Sequence, residues 1–448
     1  MRKLLFLATV VYTVLLIIRP QEFVPGLAQV PLLQIVLLIA FGLWLLCSDK
    51  GVDLPQFKIL PLLLVFIWLS LGIGGGWWGG IVSALEKMLP PMLLLVIVSG
   101  AVRSLSALKI YSIVLIACAA TLVYHGHLQV TTGIGWTGQP MIEGRITYTG
   151  IFNDPNDMGL LFVLAIGVSI LHIHTQQGRF VRLLAWAMLG WLLYGVYLTD
   201  SRGTLLATLT VLGLEIWARF GKGVVITLGA IAVPVLVAYT RLAELDASEE
   251  SAEGRIDAWY EGVQLLVQYP LFGVGWQMFS DHNFLTAHNS IVLAMAELGV
   301  LGYTIWLSLV FLSGWMIWRL AYPAGPSPQP SPQPSPHQRA LVRQKPLTVQ
   351  PSPPESTVLP GFDAAAERLA ARSLLFAACG FAVGAFFLSQ SYKPMLFLYC
   401  GLIAGRYLGM REAGLRPSVY ALGANLPRLA GSALASIVGM WILVRILL

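Results

Sequence analysis

Residues 156–173 read NDMGLLFVLAIGVSILHI, an apolar run that begins directly after the turn-forming segment 153–155. Such a run is close to the length that a helix needs to cross a hydrocarbon core of about 30 Å. Similar runs recur from one end of the 448-residue chain to the other. Apolar residues make up 57% of the sequence and charged residues only 11%, which excludes an ordinary soluble domain. The sequence therefore predicts an integral membrane protein.

The hydropathy pattern predicts an all-α fold, a polytopic bundle of about 12 to 13 membrane-spanning helices. Backbone polar groups in lipid must be satisfied within their own segment, which favours helices over open strands. The predicted spans are 4–18, 30–47, 58–74, 88–102, 108–124, 156–173, 180–198, 203–218, 222–240, 289–320, 371–390, 393–409 and 427–447. The span 289–320 is long enough to contain a break.

Lysine and arginine in the short loops indicate the orientation, because such residues favour the cytoplasmic side. One side of the predicted spans receives Arg2, Lys3, Lys50, Lys58, Arg103, Lys109, Arg179, Arg182, Arg219, Lys222, Arg319, Arg339, Arg343, Lys345, Arg372, Arg406 and Arg411. We expect that side to be cytoplasmic, with the amino terminus inside and the first span retained. The net charge of +6 is then an insertion signal, and no nucleic-acid partner is expected.

A proline-rich segment separates two parts of the chain. Residues 321–366 are rich in Pro, Ser and Gln, a composition that favours an extended, solvated linker. We predict a main membrane bundle at 1–320, which includes a large external loop at 241–288, then this cytoplasmic linker, then C-terminal membrane helices at 367–448. A proline-rich ligand for a partner protein is the alternative for the linker.

Two arginines lie on the external side, against the positive-inside trend: Arg202 at the start of a span and Arg255 in the large loop. A guanidinium is always charged and grips phosphate oxygens with two hydrogen bonds. The pair therefore predicts a site for a lipid-linked phosphate or pyrophosphate. The alternative is that each arginine reaches lipid headgroups at the membrane surface.

His288 lies where the chain re-enters the apolar phase, and it is the best candidate for a general base. Its imidazole is suited to taking a proton from a sugar hydroxyl. The alternative is an interfacial or helix-capping histidine, and Asn289 and Ser290 also suit a cap. A serine-hydrolase site is not indicated, because the chain has no GxSxG elbow around Ser201 or Ser290.

Several other residues give weaker indications of function. The segment Asn153–Asp157 contains two carboxylates, which are suited to a divalent cation. Its turn-forming residues favour the alternative, a loop and a helix cap. His125 and His127 are a weak metal signal without acidic or Cys partners. Arg145 and Lys393 are also predicted on the external side. There they either extend the positive surface formed by the arginines or are solvated charges. No metal site and no cofactor are predicted. The four cysteines are expected to be packing residues, and Trp77, Trp78, Trp136 and Trp276 suit an interfacial belt or sugar stacking.

In combination, several short motifs resemble the O-antigen ligase and polymerase family of bacterial inner-membrane glycosyltransferases. The matching pieces are Gly150–Asn156 (GIFNDPN), Ser201–Gly203 (SRG), Gly254 and Arg255 with Trp259, Pro270–Gly275 (PLFGVG), Ala287–Asn289 (AHN) and Glu297–Gly302 (ELGVLG). Each motif is degenerate, but their order is specific. The resemblance covers residues 140–320 well and the remainder only by hydropathy. The proline-rich linker and the last span depart from the family pattern.

The resemblance implies a metal-independent inverting transferase of the GT-C type, with an undecaprenyl-pyrophosphate-linked glycan as donor. It places Arg202 and Arg255 on the pyrophosphate and makes His288 the base. Arg145 and Asn289 are predicted as further substrate contacts. The site would face the periplasm, and membrane lipids would surround the protein in the bacterial inner membrane.

The acceptor stays open among the core of lipid A in lipopolysaccharide, a growing lipid-linked polysaccharide, and a protein. The alternative from another class is a flippase or transporter for the same lipid-linked glycan. Transporters place charges near the bilayer midplane and have repeated halves. The candidate charges here lie at one face of the predicted bundle, which favours the enzyme.

Overall fold

The computed structural model describes residues 1–175, 178–231, 247–323, 363–413 and 422–448. These residues form a bundle of α-helices. The helices are α1 (Arg2–Ile18), α2 (Leu32–Leu45), α3 (Pro55–Leu69), α4 (Ile81–Ala101), α5 (Leu105–Thr132), α6 (Pro155–Thr175), α7 (Arg179–Leu198), α8 (Arg202–Phe220), α9 (Lys222–Ile231), α10 (Ala247–Gln268), α11 (Ser290–Ala321), α12 (Ala364–Phe386), α13 (Pro394–Glu412) and α14 (Leu422–Leu447).

The predicted membrane bundle is confirmed, because a helix coincides with each of the thirteen predicted spans. Within the described ranges, ten helices are long and apolar enough to cross a membrane. The helices α2 and α9 are apolar but shorter, and α13 ends in a charged turn. Residues 232–240 of the ninth span, residues 241–246 of the predicted loop and residues 324–362 of the predicted linker lie outside the described residues.

Two boundaries differ from the sequence-based expectation. Helix α5 continues to Thr132, so the predicted span 108–124 was too short and the following loop begins only at Gly133, which has a positive φ of 84°. The segment predicted as an external loop at 241–288 contains the helix α10. Polar residues alternate with apolar ones there at helical spacing, a pattern that a hydropathy scan for membrane spans does not detect.

Helix α6 lies at the centre of the bundle, and its side chains are buried from Asp157 to Ile173 with no exposed face. It packs against α5, α7, α8 and α12. Helix α12 lies beyond the proline-rich segment in the chain, yet it also packs against α8 and α11. The C-terminal helices are therefore part of the same packed bundle as the helices that carry the candidate site.

Ion pairs tie several helices together at one end of the bundle. The Arg103 guanidinium lies 3.2 Å from the Asp49 carboxylate and 2.6 Å from that of Glu412. Glu412 also pairs with Arg2 at 2.7 Å.

Helix α1 begins at this end of the bundle, and α4 and α13 end there, so α13 begins at the opposite end. The segment before α13 contacts the beginning of α6 at Asp157 and that of α11 at Ser290, and Asn156 in turn contacts the beginning of α8 at Ser201, so these helices also begin at the opposite end. We call that opposite end the site end.

Helix α11 is broken at Gly299, as the length of the predicted span suggested. The break lets the preceding segment pair with the helix backbone: Val300 N donates to Pro270 O at 2.8 Å, and Val274 N donates to Ala296 O at 3.0 Å. Two motifs that are distant in the sequence, PLFGVG and ELGVLG, thus form one packed unit.

Glycine is required on both sides of this unit. Gly299 has φ 64° and ψ −177°, and a Cβ there would lie 2.5 Å from the backbone oxygen of Leu271. Gly273 has φ 70°, and its Cβ would lie 2.3 Å from the backbone carbon of Glu297. Only glycine adopts such conformations without strain and permits this approach.

We therefore expect Gly299→Ala to destabilise the protein. The backbone conformation alone should cost about 1–3 kcal/mol, and the clash with Leu271 adds to it. Thermal unfolding of the purified protein in detergent measures the effect. Gly314→Ala in the same helix is the matched control, because its new Cβ meets nothing within 4 Å. Equal unfolding midpoints for the two variants would contradict this account.

Candidate functional site

Three arginines from distant parts of the chain converge at the site end. Arg202 begins α8, Arg255 lies on α10, and Arg145 lies in the segment between α5 and α6. Burial lowers the pKa of the Arg255 guanidinium, and the positive charges of Arg202 and Arg145 lower that pKa further. The carboxylate of Asp154 acts in the opposite direction. We call Arg145, Arg202 and Arg255 the arginine cluster.

Hydrogen bonds hold Arg145 in this cluster. Its Nε donates to the backbone oxygen of Thr199 at 3.0 Å, and its Nη2 donates to Asn156 Oδ1 at 3.0 Å. The Ser201 hydroxyl donates to the same Asn156 oxygen at 2.6 Å and caps α8 by accepting from Thr204 N. The turn that presents Arg202 is thereby connected to Arg145 both directly, at Thr199, and through the side chain of Asn156.

The segment Asn153–Asp157 has the structure of a helix cap. Asp154 Oδ1 accepts hydrogen bonds from the backbone nitrogen of Asn156 at 2.7 Å and from its side-chain nitrogen at 2.8 Å. Asp157 instead pairs with Lys393 and with Gln390. In the described part of the chain, no group of three or more His, Cys, Asp or Glu side chains is arranged to hold a metal ion.

His288 lies on a strained turn directly before α11, with a positive φ of 45°. Its neighbours on both sides, Ala287 and Asn289, are fully buried. Two residues earlier, the Thr286 hydroxyl shares a hydrogen bond of 3.0 Å with the Ser389 hydroxyl. The turn is therefore fixed on each side of the imidazole, which itself is half-buried.

The surroundings of His288 favour its neutral form. Burial lowers the pKa of the imidazole below its ordinary value, and the positive charges of Arg255 and Lys393 lower it further. Asp154 opposes this effect. A neutral imidazole at pH 7 has a free lone pair and can accept a proton, as a general base must.

Asn289 is the N-cap of α11. Its Oδ1 accepts from Ile291 N at 2.9 Å and from Val292 N at 3.1 Å, as the capping alternative predicted. Its Nδ2 is buried and has no hydrogen-bond partner among the described residues. The predicted contact with substrate therefore remains a prediction for this nitrogen alone.

The connection between α12 and α13 forms one wall of the site, which the sequence did not indicate. The Ser290 hydroxyl donates to Leu388 O at 2.6 Å and accepts from Gln390 N at 2.9 Å. The Ser391 hydroxyl donates to Ser290 O at 2.7 Å. The turn that carries His288 is thus attached to a segment about a hundred residues away in the chain. Polar residues before a proline, as in 389–394, were the available signal.

A cavity of about 680 Å³ lies beside the His288 turn. Its wall combines polar and apolar groups from four parts of the chain. Its lining residues are Gly150, Ile151, Asn153, Asp154, Asp157, Gln277, Ser280, Thr286, Leu293, Glu297, Ser389, Tyr392, Lys393 and Pro394. None of the three clustered arginines is in its wall. We call this space the polar cavity.

A second cavity, of about 280 Å³, lies between α11, α12 and α13 and is almost entirely apolar. Ser290 and Gln390 line its end nearest the His288 turn. We call it the apolar cavity. The two cavities approach the same turn, one with a mixed polar and apolar wall and the other with an almost entirely apolar wall.

Other candidates from the sequence lie elsewhere. His125 packs edge-on between Trp136 and Tyr148, with ring centroids 4.6 and 4.8 Å away, and has the environment of a core residue. Trp276 is buried against Tyr392. Trp77 and Trp78 are exposed, as expected for an interfacial belt, and the four cysteines are free, with three of them buried.

Residues 187–307 match the family model described as O-antigen ligase. The matched segment contains Arg202, Arg255 and His288, whereas Arg145 and the connection between α12 and α13 lie outside it. A search of curated proteins finds no match to the chain.

Proposed function

We propose that this chain, which carries a domain of the O-antigen ligase family at residues 187–307, is a glycosyltransferase of the ligase or polymerase type. It would transfer a glycan from an undecaprenyl-pyrophosphate donor to an acceptor hydroxyl. The observation that carries the proposal is the convergence of three guanidinium groups with an imidazole that burial and neighbouring cations keep neutral. The family match over the residues that provide two of these arginines and the imidazole supports it.

The arginine cluster is suited to a pyrophosphate. The charges of Arg202 and Arg145 repel that of Arg255 and lower its pKa, and an anion with several oxygens relieves that repulsion. The N-terminus of α8, where Arg202 begins the helix, adds its dipole to the attraction. During transfer, charge develops on the departing pyrophosphate, and fixed guanidinium groups stabilise it without rearranging.

His288 would take the proton. The acceptor oxygen attacks the anomeric carbon, and its proton passes to the imidazole. The bond between that carbon and the pyrophosphate oxygen breaks, and undecaprenyl pyrophosphate leaves with the bonding electrons. Because attack and departure occur on opposite faces, the anomeric configuration inverts. The fixed cations supply the charge stabilisation that a metal ion would otherwise provide, so we expect the reaction to be metal-independent.

The location follows from the charges of the loops. The end of the bundle opposite the site end carries Arg2 and Arg103, two of the cations whose positions in the sequence favour the cytoplasm. The site end would therefore face the periplasm of the inner membrane. The apolar cavity beside Ser290 is suited to hydrocarbon of the polyprenyl chain.

Transfer of a labelled glycan from undecaprenyl pyrophosphate by the purified protein in detergent tests this proposal. Lipid A core, a second lipid-linked repeat and an acceptor protein are offered in parallel, each with and without a chelator. Product on any acceptor in the presence of chelator supports the transferase, and the acceptor used identifies its branch. Donor binding without product on any acceptor, together with donor translocation in vesicles, would favour a transporter instead.

The pH dependence gives an independent prediction. Because burial, Arg255 and Lys393 depress the pKa of His288, the neutral base should persist below the ordinary imidazole value of about 6.5. We expect kcat/KM to be constant around neutrality and to fall only below that value, as the imidazole gains its proton. The exposed His282, six residues earlier, provides the control, since His282→Ala should leave the profile unchanged. A decline that begins above the ordinary value would contradict the assignment.

A further inference from the structure

The side chain of Asn156 lies where three parts of the site meet. Its Oδ1 accepts hydrogen bonds from Arg145 Nη2 at 3.0 Å and from the Ser201 hydroxyl at 2.6 Å. Its Nδ2 donates to Asp154 Oδ1 at 2.8 Å. An amide oxygen has two lone pairs, and both are used here. One neutral side chain is thus bonded to a guanidinium, to a carboxylate and to the cap of α8.

The two acceptors that hold the Arg145 guanidinium carry no formal charge. One is the Asn156 oxygen, and the other is the backbone oxygen of Thr199, which lies 3.0 Å from Arg145 Nε. Among the described residues, these are the only hydrogen-bond partners of this guanidinium. A carboxylate in either place would offset the positive charge of the arginine. A neutral oxygen fixes the orientation instead and leaves the charge and the Nη1 donors available to an anion.

The backbone on both sides of this contact is also fixed. A tight turn presents Arg145: Ile142 N donates to Arg145 O at 3.1 Å, and Arg145 N donates to Ile142 O at 2.9 Å. On the other side, the Ser201 hydroxyl caps α8 directly before Arg202. Asn156 therefore connects two turns that each present an arginine, and it fixes them relative to each other before an anion binds.

We propose that Asn156 is a positioning residue of the pyrophosphate site, whose neutral oxygen fixes Arg145 relative to the turn of Arg202 and leaves the Arg145 charge available to the anion. This rests on the proposed glycan transfer. Donors that are already in place stabilise a departing pyrophosphate without rearranging, whereas a mobile guanidinium loses conformational entropy when it binds. Asn156 and Arg145 both lie outside the segment 187–307 that matches the family model.

Two substitutions at Asn156 remove different parts of this arrangement. Asn156→Ala removes the oxygen that accepts from Arg145 and Ser201, while Ser201 still caps α8 and Asp154 still accepts from the backbone nitrogen of residue 156. Asn156→Asp keeps the shape of the side chain and its accepting oxygen, but it places a negative charge beside Arg145. If Asn156→Ala does not fold, Asn156→Asp decides between the outcomes, because it does not change the size of the side chain.

Equilibrium binding of undecaprenyl pyrophosphate and of undecaprenol to the purified protein in detergent tests this proposal. The two probes share the hydrocarbon chain, so their comparison isolates the contribution of the pyrophosphate. We expect each variant to raise the Kd for undecaprenyl pyrophosphate by at least roughly tenfold and to leave the Kd for undecaprenol unchanged. Gln268→Ala, which removes an exposed amide at the end of α10, is the control. Wild-type affinity for undecaprenyl pyrophosphate in either variant, or an equal loss for both probes, would overturn the proposal.

A double-mutant cycle tests whether Asn156 acts through Arg145. Asn156→Ala and Arg145→Ala are measured singly and in combination, with undecaprenyl pyrophosphate as the probe. If the two side chains act as one unit, the combined rise in Kd falls short of the product of the two single effects by more than about twofold. Single effects that multiply to within about twofold would overturn the proposal. If the wild-type protein binds undecaprenyl pyrophosphate no more tightly than undecaprenol, the proposed function itself is wrong.

Discussion

His288→Ala should reduce kcat for glycan transfer by about 10²–10⁴-fold, the usual contribution of a general base. The variant lacks the only imidazole that we place beside the arginine cluster, so the acceptor hydroxyl must lose its proton to water. Binding of the lipid-linked donor should persist, because the arginines provide it. Single-turnover transfer and donor binding, measured on the same preparation, separate the two effects.

His282→Ala is the control for this experiment. His282 lies in the same segment between α10 and α11, but it is exposed and follows the short helical turn Phe279–Asp281. Its loss should leave both transfer and binding near the wild-type values. If His288→Ala transfers glycan at the wild-type rate, His288 is not part of the mechanism. If the variant instead loses donor binding, His288 belongs to the donor site.

Arg255→Ala should reduce kcat/KM for the donor by about 10²–10³-fold, as expected when one fixed donor to a developing negative charge is removed. Arg255 is half-buried and interacts electrostatically with both Arg202 and Arg145. Arg255→Lys should recover only part of the loss, because an ammonium group keeps the charge but not the paired hydrogen bonds of a guanidinium. Donor titration and initial rates measure both variants.

Arg179→Ala provides the matched loss of a positive charge. Arg179 is exposed at the start of α7, at the end of the bundle opposite the site end, and its removal should not affect the rate. Full recovery of kcat/KM in Arg255→Lys would indicate that charge alone matters at this position. A wild-type rate in Arg255→Ala would remove this arginine from the pyrophosphate site.

Hydropathy was sufficient to predict the apolar helices, because in lipid each segment must satisfy its own backbone and be apolar over its whole length. Among the described residues a helix overlaps each predicted span, and the long span 289–320 contains the expected break. Helix α10 was not predicted from the sequence. It is stabilised by tertiary packing against α11 and α14, which hydropathy does not show. Its sequence is too polar to be recognised as a membrane span.

The candidate residues were also visible in the sequence. Charged and polar groups are unfavourable in a membrane-spanning chain. Those that depart from the positive-inside pattern are therefore candidates for a functional site, and Arg202, Arg255 and His288 were predicted on this basis. Glu297 was quoted only as part of a motif, although an acidic residue within an apolar span is itself such a signal. It lines the polar cavity, which a single sequence does not show.

The sequence by itself determined the class of the protein, its apolar helices and the identity of the arginines and the histidine, because these depend on local composition. The tertiary structure decided which of them meet. Arg145 joins the cluster through Asn156, and the connection between α12 and α13 encloses the His288 turn, with Lys393 paired to Asp157 in the wall of the polar cavity. Such contacts join residues as much as 236 positions apart, and they depend on how the helices pack rather than on any local pattern.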